Sequence, residues 1–276
     1  MQPTLFSTLG TAYRFLWAER RDLFAYAFLP VLLVSFVQIA GLWVTGDWQL
    51  YFESLTASPD DGPADETPVA PGEVPMSAVA AMVANAIAAF VAYAMFAVAW
   101  FRRYLIGPEG MTVGAAMRWG PRQWRFVSRF LILMLIVLVL GLLSIAPLNL
   151  LSSASQMVGV FAQAVIVVAS LLITARLLLV LPATAVDRTF GLRDAIDATT
   201  NRSWYMVGIY LFSLLPVLFV LVILGQLVAG LAIGLGGPSL SFMFVALLVQ
   251  QAVMFVAIAA QVTALAEAYR QFAPPA

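Results

Sequence analysis

Residues 128–149 read SRFLILMLIVLVLGLLSIAPLN, and past Arg129 the remaining twenty positions carry no charge. A helix rises about 1.5 Å per residue, so roughly 20 apolar residues cross the ~30 Å hydrocarbon core of a bilayer. This stretch has that length and that composition. Working outward, five more stretches qualify, near 24–45, 76–101, 157–181, 204–235 and 240–268. The fifth is long enough to tilt, or to bend at Pro216. The fold expected is all-α: one transmembrane domain over residues 1–276, built as a polytopic bundle of six helices.

Composition points the same way. Hydrophobic residues make up 63% of the chain and charged residues 10%, against about 45–50% and 25% in a soluble domain. Water does not accommodate that much apolar surface on a chain of 276 residues; lipid does. The first apolar stretch, Phe24 to Val44, exceeds the ~7–15 residues of a signal-peptide core and is expected to stay in the membrane.

Orientation follows from the basic residues, all 14 of them arginine. Arg14, Arg20 and Arg21 precede the first span, and Arg102, Arg103, Arg118, Arg122, Arg125 and Arg129 lie between or at the edges of spans two and three. Arg176, Arg188, Arg193 and Arg202 surround the connection between spans four and five, and Arg270 follows the sixth. With an even number of spans every arginine falls on one side, which the positive-inside rule makes cytoplasmic. The expected location is therefore a bacterial inner membrane, with both termini in the cytoplasm.

On the opposite side the long segment 46–75 holds seven acids (Asp47, Glu53, Asp60, Asp61, Asp65, Glu66 and Glu73) and no base. Rich in Pro, Gly and Asp, it is expected to be disordered or extended: a solvated spacer, or a docking strand for a periplasmic partner.

Short amphipathic pieces lie between the spans. Leu5, Phe6, Leu9, Tyr13, Leu16 and Trp17 recur at helical spacing, and Leu192, Ala195, Ile196 and Thr199 share one side of a more polar segment. Both suit helices in the headgroup region on the cytoplasmic side. Gly120-Pro121 stops any helix running through residues 111–125. Leu29-Pro-Val-Leu32 recurs as Leu215-Pro-Val-Leu218, and Arg122-Gln-Trp124 as Arg202-Ser-Trp204, which suggests three copies of an interfacial helix followed by a hairpin. Trp43, Trp48, Trp100, Trp119, Trp124 and Trp204 fall near span ends, as an aromatic belt does.

Residues for chemistry are scarce. Cysteine and histidine are absent, removing disulfides, thiol chemistry, the commonest general base and the commonest transition-metal ligand. There is no Gly-x-Ser-x-Gly elbow, no lysine for a phosphate-binding loop and no aspartate within an expected span. No catalytic residue, cofactor site or metal site is expected, and the chain is read as not an enzyme.

The spans do hold Asn85, Gln163, Arg176, Gln226, Gln250, Gln251, Gln261 and Glu267. Gln250, Met254, Ala257, Gln261 and Ala264 share one helical face, expected to turn inward, either as a polar path or as amide bonds holding helices together at about 0.6–2 kcal/mol each. Arg176 is expected to snorkel toward the cytoplasmic face and pair with Asp187 or Glu267. Gly230 and Gly234 have the spacing of a close helix contact. Arg102, Arg103, Arg118, Arg122 and Arg125, with Trp119 and Trp124 among them, suit a collar for anionic headgroups. The bilayer accounts for these charges, so nucleic acid is not an expected partner.

The stretch Arg176-Leu-Leu-Leu-Val-Leu-Pro182-Ala-Thr-Ala-Val-Asp187, with Gly191-Leu-Arg-Asp-Ala195 and the polar run into Trp204, resembles six-helix bacterial membrane proteins related to the membrane domain of glycerophosphoryl diester phosphodiesterases. In that pattern an arginine-bearing span ends at a proline, and an acid, a short interfacial helix and a small hydroxyl residue follow. Arg176, Pro182, Asp187, Ala195 and Thr199 match, with Asp where Glu is commoner. The resemblance implies the six-span layout. It implies no hydrolysis, because that chemistry belongs to a separate soluble domain whose metal-binding acids and histidines this chain lacks. Two functions are expected from these residues: a non-enzymatic protein organising lipid or a partner complex in the envelope, and, as the alternative, a transporter or permease subunit with a path along Gln250, Gln261 and Asn85.

Overall fold

The computed structural model describes residues 4–46, 75–110, 112–234 and 240–272. The acidic segment, with all seven of its acids, and Trp48 lie outside these residues. Every regular element among the described residues is helical: α1 Leu5–Ala18, α2 Arg20–Thr45, α3 Met76–Leu105, α4 Val113–Ala116, α5 Pro121–Ala154, α6 Gln156–Leu177, α7 Val180–Ala185, α8 Leu192–Ala198, α9 Ser203–Phe212, α10 Leu215–Gly234 and α11 Leu240–Phe272, with one 3-10 turn at Pro108–Gly110.

Among the described residues six segments are long and apolar enough to cross a membrane: Arg20–Thr45, Met76–Leu105, Pro121–Ile145, Met157–Ala185, Ser203–Val228 and Phe244–Phe272. Their apolar side chains stay uncovered along much of their length. Leu135 is 58% exposed, Leu143 69% and Phe219 68%. A multi-pass membrane protein fits this surface, since lipid solvates it and water does not. At the arginine-bearing ends the helices overrun the apolar stretches: α3 ends at Leu105 rather than 101, and α5 begins at Pro121 rather than 128. Backbone hydrogen bonding does not stop where hydrocarbon does, and arginine is a good helix former.

Prolines set the interruptions. Pro121 opens α5 at its first position, where its missing N–H is no loss, and Gln123 Oε1 accepts the Gly120 N–H at 3.1 Å. The expected stop there is present. Pro182 cannot donate to Leu178, and the helix breaks after Leu177 before resuming as α7; Leu181 N–H takes the Leu178 carbonyl at 3.1 Å instead. Pro216 likewise leaves the Phe212 carbonyl unpaired, and the fifth span divides into α9 and α10. Next to it, the Ser213 carbonyl accepts the Tyr13 hydroxyl at 2.7 Å. Pro30, by contrast, sits inside an unbroken α2, so the two Leu-Pro-Val-Leu copies differ in local structure. The two Arg-x-Trp copies both open a helix.

The chain divides into two compact units: Met1–Tyr26, Ala94–Leu215 and Ile258–Ala276 form the first, and Ala27–Tyr93 and Pro216–Ala257 the second. All fourteen arginines belong to the first and none to the second. In the first unit α5 and α6 form a packed hairpin, with α9 and α8 against α6 and α7 against α5. Its core is small and aromatic residues combined: Ala97, Val98, Ala99, Trp100 and Phe101 are wholly buried, as are Ala264, Ala266 and Ala268 of α11. Trp100 was expected in the interfacial belt. Its indole instead stacks on Phe96, meets Phe15 and Tyr26 edge-on, and donates to Thr263 Oγ1 at 2.8 Å; an indole with a buried acceptor belongs in a core. Trp43, Trp124 and Trp204 are exposed as expected. α1 buries Thr8, Leu9, Ala12 and Leu16, and its Leu5 lies so close to Gly208 that a β-carbon there would meet the leucine at 3.1 Å.

In the second unit α2 and α3 approach closely where Gly41 faces Ala81, at 3.4 Å from a notional β-carbon. Gly230 of α10 faces open space among the described residues. Gln251 Nε2 donates to Gln38 Oε1 at 2.9 Å.

Candidate functional site

Asp187 ends the turn after α7 in the left-handed region, at φ 61°. Aspartate tolerates that conformation better than most residues, and such positions gather at functional sites. The turn is fixed by Asp187 N–H to the Thr184 carbonyl (3.2 Å) and Arg188 N–H to the Ala183 carbonyl (3.0 Å). Its carboxylate collects three guanidinium groups from two helices. Arg102 of α3 donates through Nη1 to Oδ2 at 3.0 Å, Arg122 of α5 through Nε to Oδ2 at 3.1 Å, and Arg125 of α5 through Nη2 to Oδ1 at 2.6 Å. Arg102 also donates to the Ala185 carbonyl at 3.0 Å. One negative charge thus answers three positive ones, and the excess is carried by the exposed members, Arg122 and Arg125, whose side chains are 47% and 57% exposed.

Two members of the expected headgroup collar do not face outward. The Arg102 and Arg103 side chains are about 10% and 9% exposed. Adjacent positions on a helix point about 100° apart, and each finds its own acids: Arg102 takes Asp187, while Arg103 takes Glu19 at 2.6 Å and Asp22 at 2.8 Å, at the joint of α1 and α2. A buried guanidinium without such partners costs several kcal/mol, so these two arginines join helices. Arg118, Arg122 and Arg125 remain at the surface.

Arg176 does not form the expected pair with Asp187 or Glu267. Its Nε donates to Thr199 Oγ1 at 2.9 Å and its Nη2 to the Ile196 carbonyl at 2.6 Å, where α8 ends and its unpaired carbonyls favour a cation. Both carboxylates are already occupied. Glu267 accepts from the Tyr104 hydroxyl at 2.6 Å, Arg270 Nη2 at 2.7 Å and Gln271 Nε2 at 3.0 Å. The five residues of the Arg176-to-Thr199 pattern have related work: Pro182 sets the break before the turn, Asp187 gathers arginines, and buried Ala195 and Thr199 seat α8 against Arg176.

The polar face expected on the sixth span is only partly inward. Ala257 and Ala264 are buried, Gln250 and Gln261 half-buried, and Met254 is 41% exposed; the helix buries different faces along its length. Asn85 lines a cavity of about 270 Å3 with Gln38, Thr45, Gly41 and Ala81, and its Oδ1 is buried with no hydrogen-bond partner among the described residues.

Sequence reasoning missed one network. Thr8 Oγ1 and Tyr205 Oη are 2.6 Å apart, and Gln271 bonds both. Its only signal was the small polar face of α1 at Thr8 and Ala12. The Tyr13 hydroxyl that caps Ser213 was counted as part of an apolar stripe; burial pushes its phenol above the ordinary tyrosine range. No family model, no curated protein and no solved structure matches the chain.

Proposed function

We propose that this chain is a non-enzymatic multi-pass protein of a bacterial inner membrane, with both termini in the cytoplasm, which organises anionic lipid or a partner complex at its arginine-bearing side. The observation carrying this reading is the convergence of Arg102, Arg122 and Arg125 on Asp187, which fixes a positive excess at the ends of α3 and α5. Each exposed arginine near an anionic surface contributes about 1 kcal/mol. With Phe6 and Trp17 exposed at 75% and 74%, α1 suits the headgroup region, as does α8 with exposed Ile196. The resemblance to the phosphodiesterase-associated membrane domains, through Arg176, Pro182, Asp187, Ala195 and Thr199, supports the six-span layout alone.

A second reading, a transporter or permease subunit, rests on the cavity beside Asn85, whose buried Oδ1 has no partner among the described residues. Native mass spectrometry of the protein extracted with its lipids separates the two. Retained anionic phospholipid or a fixed protein partner is the expected result, and a chain released bare from anionic and zwitterionic lipid alike contradicts it.

A further inference from the structure

Beside the Asp187 turn lies a cavity of about 520 Å3, within the ~300–1,000 Å3 range of small-ligand sites. Its walls come from α5 and from the turn between α7 and α8. Arg125, Ser128, Arg129 and Ile132 line it from one face of α5, and Thr184, Asp187, Arg188, Thr189 and Asp194 from the other side. Two of its arginines are not spent on structure: Arg129 and Arg188 are exposed and, among the described residues, have no carboxylate partner. Its two acids are committed elsewhere, Asp187 to Arg102, Arg122 and Arg125, and Asp194 to the Gly191 N–H at 2.7 Å. Counting these neighbours, five guanidinium groups face two carboxylates, an excess of three positive charges. Of its hydroxyls, those of Ser128 and Thr184 already donate to the Arg125 and Val180 carbonyls at 2.9 and 2.8 Å, and Thr189 adds one small donor.

The α5 face does not end at the cavity. Ile132 leads to Leu135 and Val139 at helical spacing, and these are 39%, 58% and 43% exposed. Arginines at one end, followed by an uncovered aliphatic stripe, match a molecule with a phosphate head and an acyl tail. From this arrangement we infer that the cavity binds the phosphate of an anionic phospholipid, held by Arg125, Arg129 and Arg188, with an acyl chain along Ile132, Leu135 and Val139. Guanidinium groups suit phosphate oxygens because their paired N–H donors match it in geometry as well as charge. Asp187 positions the site: by tying Arg125 to the turn that carries Arg188, it holds two phosphate ligands in one frame.

This inference rests on the lipid-organising reading above and narrows it to one site. The probe is full-length protein titrated with phosphatidylglycerol and, separately, phosphatidylcholine, read by native mass spectrometry. The variants are Arg129→Gln/Arg188→Gln and a control of equal charge loss outside the cavity and the collar, Arg21→Gln/Arg193→Gln. The wild type should retain phosphatidylglycerol preferentially; the cavity variant should lose about tenfold or more in affinity and the control less than about twofold. Arg129→Lys/Arg188→Lys, which keeps the charge but not the paired donors, should fall between. Matching melting temperatures in detergent establish that each variant is folded, which the exposure of all four arginines favours. Equal losses in both glutamine variants would mean a diffuse field, leaving lipid binding intact but removing this site. Displacement of phosphatidylglycerol by inorganic phosphate at equal concentration would make the occupant a free anion. A wild type with no preference between the two lipids would remove the site together with the reading beneath it.

Discussion

In the first unit polar groups are answered several times over: Glu267 is held by a tyrosine, an arginine and a glutamine, and Asp187 by three arginines. In the second unit, which has no arginine, Gln251 donates to Gln38, and Ser35 Oγ and Asn85 Oδ1 are buried without partners among the described residues. The difference follows from what each group costs. An ionised side chain away from water is tolerated only with complete compensation, so the arginines arrive with their acids. A neutral amide or hydroxyl in an apolar helix costs a few kcal/mol at most and persists half-satisfied. The charged unit therefore has specified geometry, and specified geometry can be a site; the amide unit has adhesion.

Removing the best-answered acid should have the largest effect. Asp187→Ala takes from buried Arg102 its carboxylate, and the expected loss is about 3 kcal/mol, at the low end for a buried pair because Asp187 is itself partly exposed; thermal unfolding in detergent measures it. Tyr13→Phe leaves the Ser213 carbonyl at the α9–α10 break unpaired and should cost about 1–2 kcal/mol. The pH dependence has a definite sign. Since the native phenol titrates above the ordinary value near 10, its contribution is fully present below that pH and fades as pH rises through the raised value. Wild type should therefore lose stability in strong alkali more steeply than Tyr13→Phe. Gln251→Leu should cost only about 0.6 kcal/mol. Asn85→Leu, which deletes an unanswered acceptor, should change stability least, by less than about 0.5 kcal/mol in either direction. A loss above 2 kcal/mol on either amide substitution would break the contrast between the units.

Much of this was legible in the chain. The six spans were readable because apolar runs of about 20 residues have few other uses, and the arginine map because every basic residue clusters beside them. The breaks at Pro182 and Pro216 follow from a missing N–H. Burial was harder to read. Arg102, Arg103 and Trp100 have the same one-dimensional signature as an interfacial collar, and only packing places Phe15, Tyr26 and Phe96 around the indole and separate acids beside each arginine. Arg176 went astray for a related reason. Sequence counts carboxylates within reach, not those already taken, and the open carbonyls at the end of α8 were the better partner. In the pattern from Arg176 to Thr199 the residues are far apart in sequence from Arg102, Arg122 and Arg125, and only the folded turn brings those arginines to Asp187.

The account depends most on the threading that puts every arginine on one side of a bilayer. The chain has no cysteine, so single cysteines report without background. Ser58→Cys and Arg193→Cys should be treated in intact spheroplasts with a membrane-impermeant maleimide, before and after permeabilisation. The account predicts labelling at position 58 from outside and at position 193 only once the membrane is opened. Labelling at 193 in intact cells with 58 shielded would contradict it.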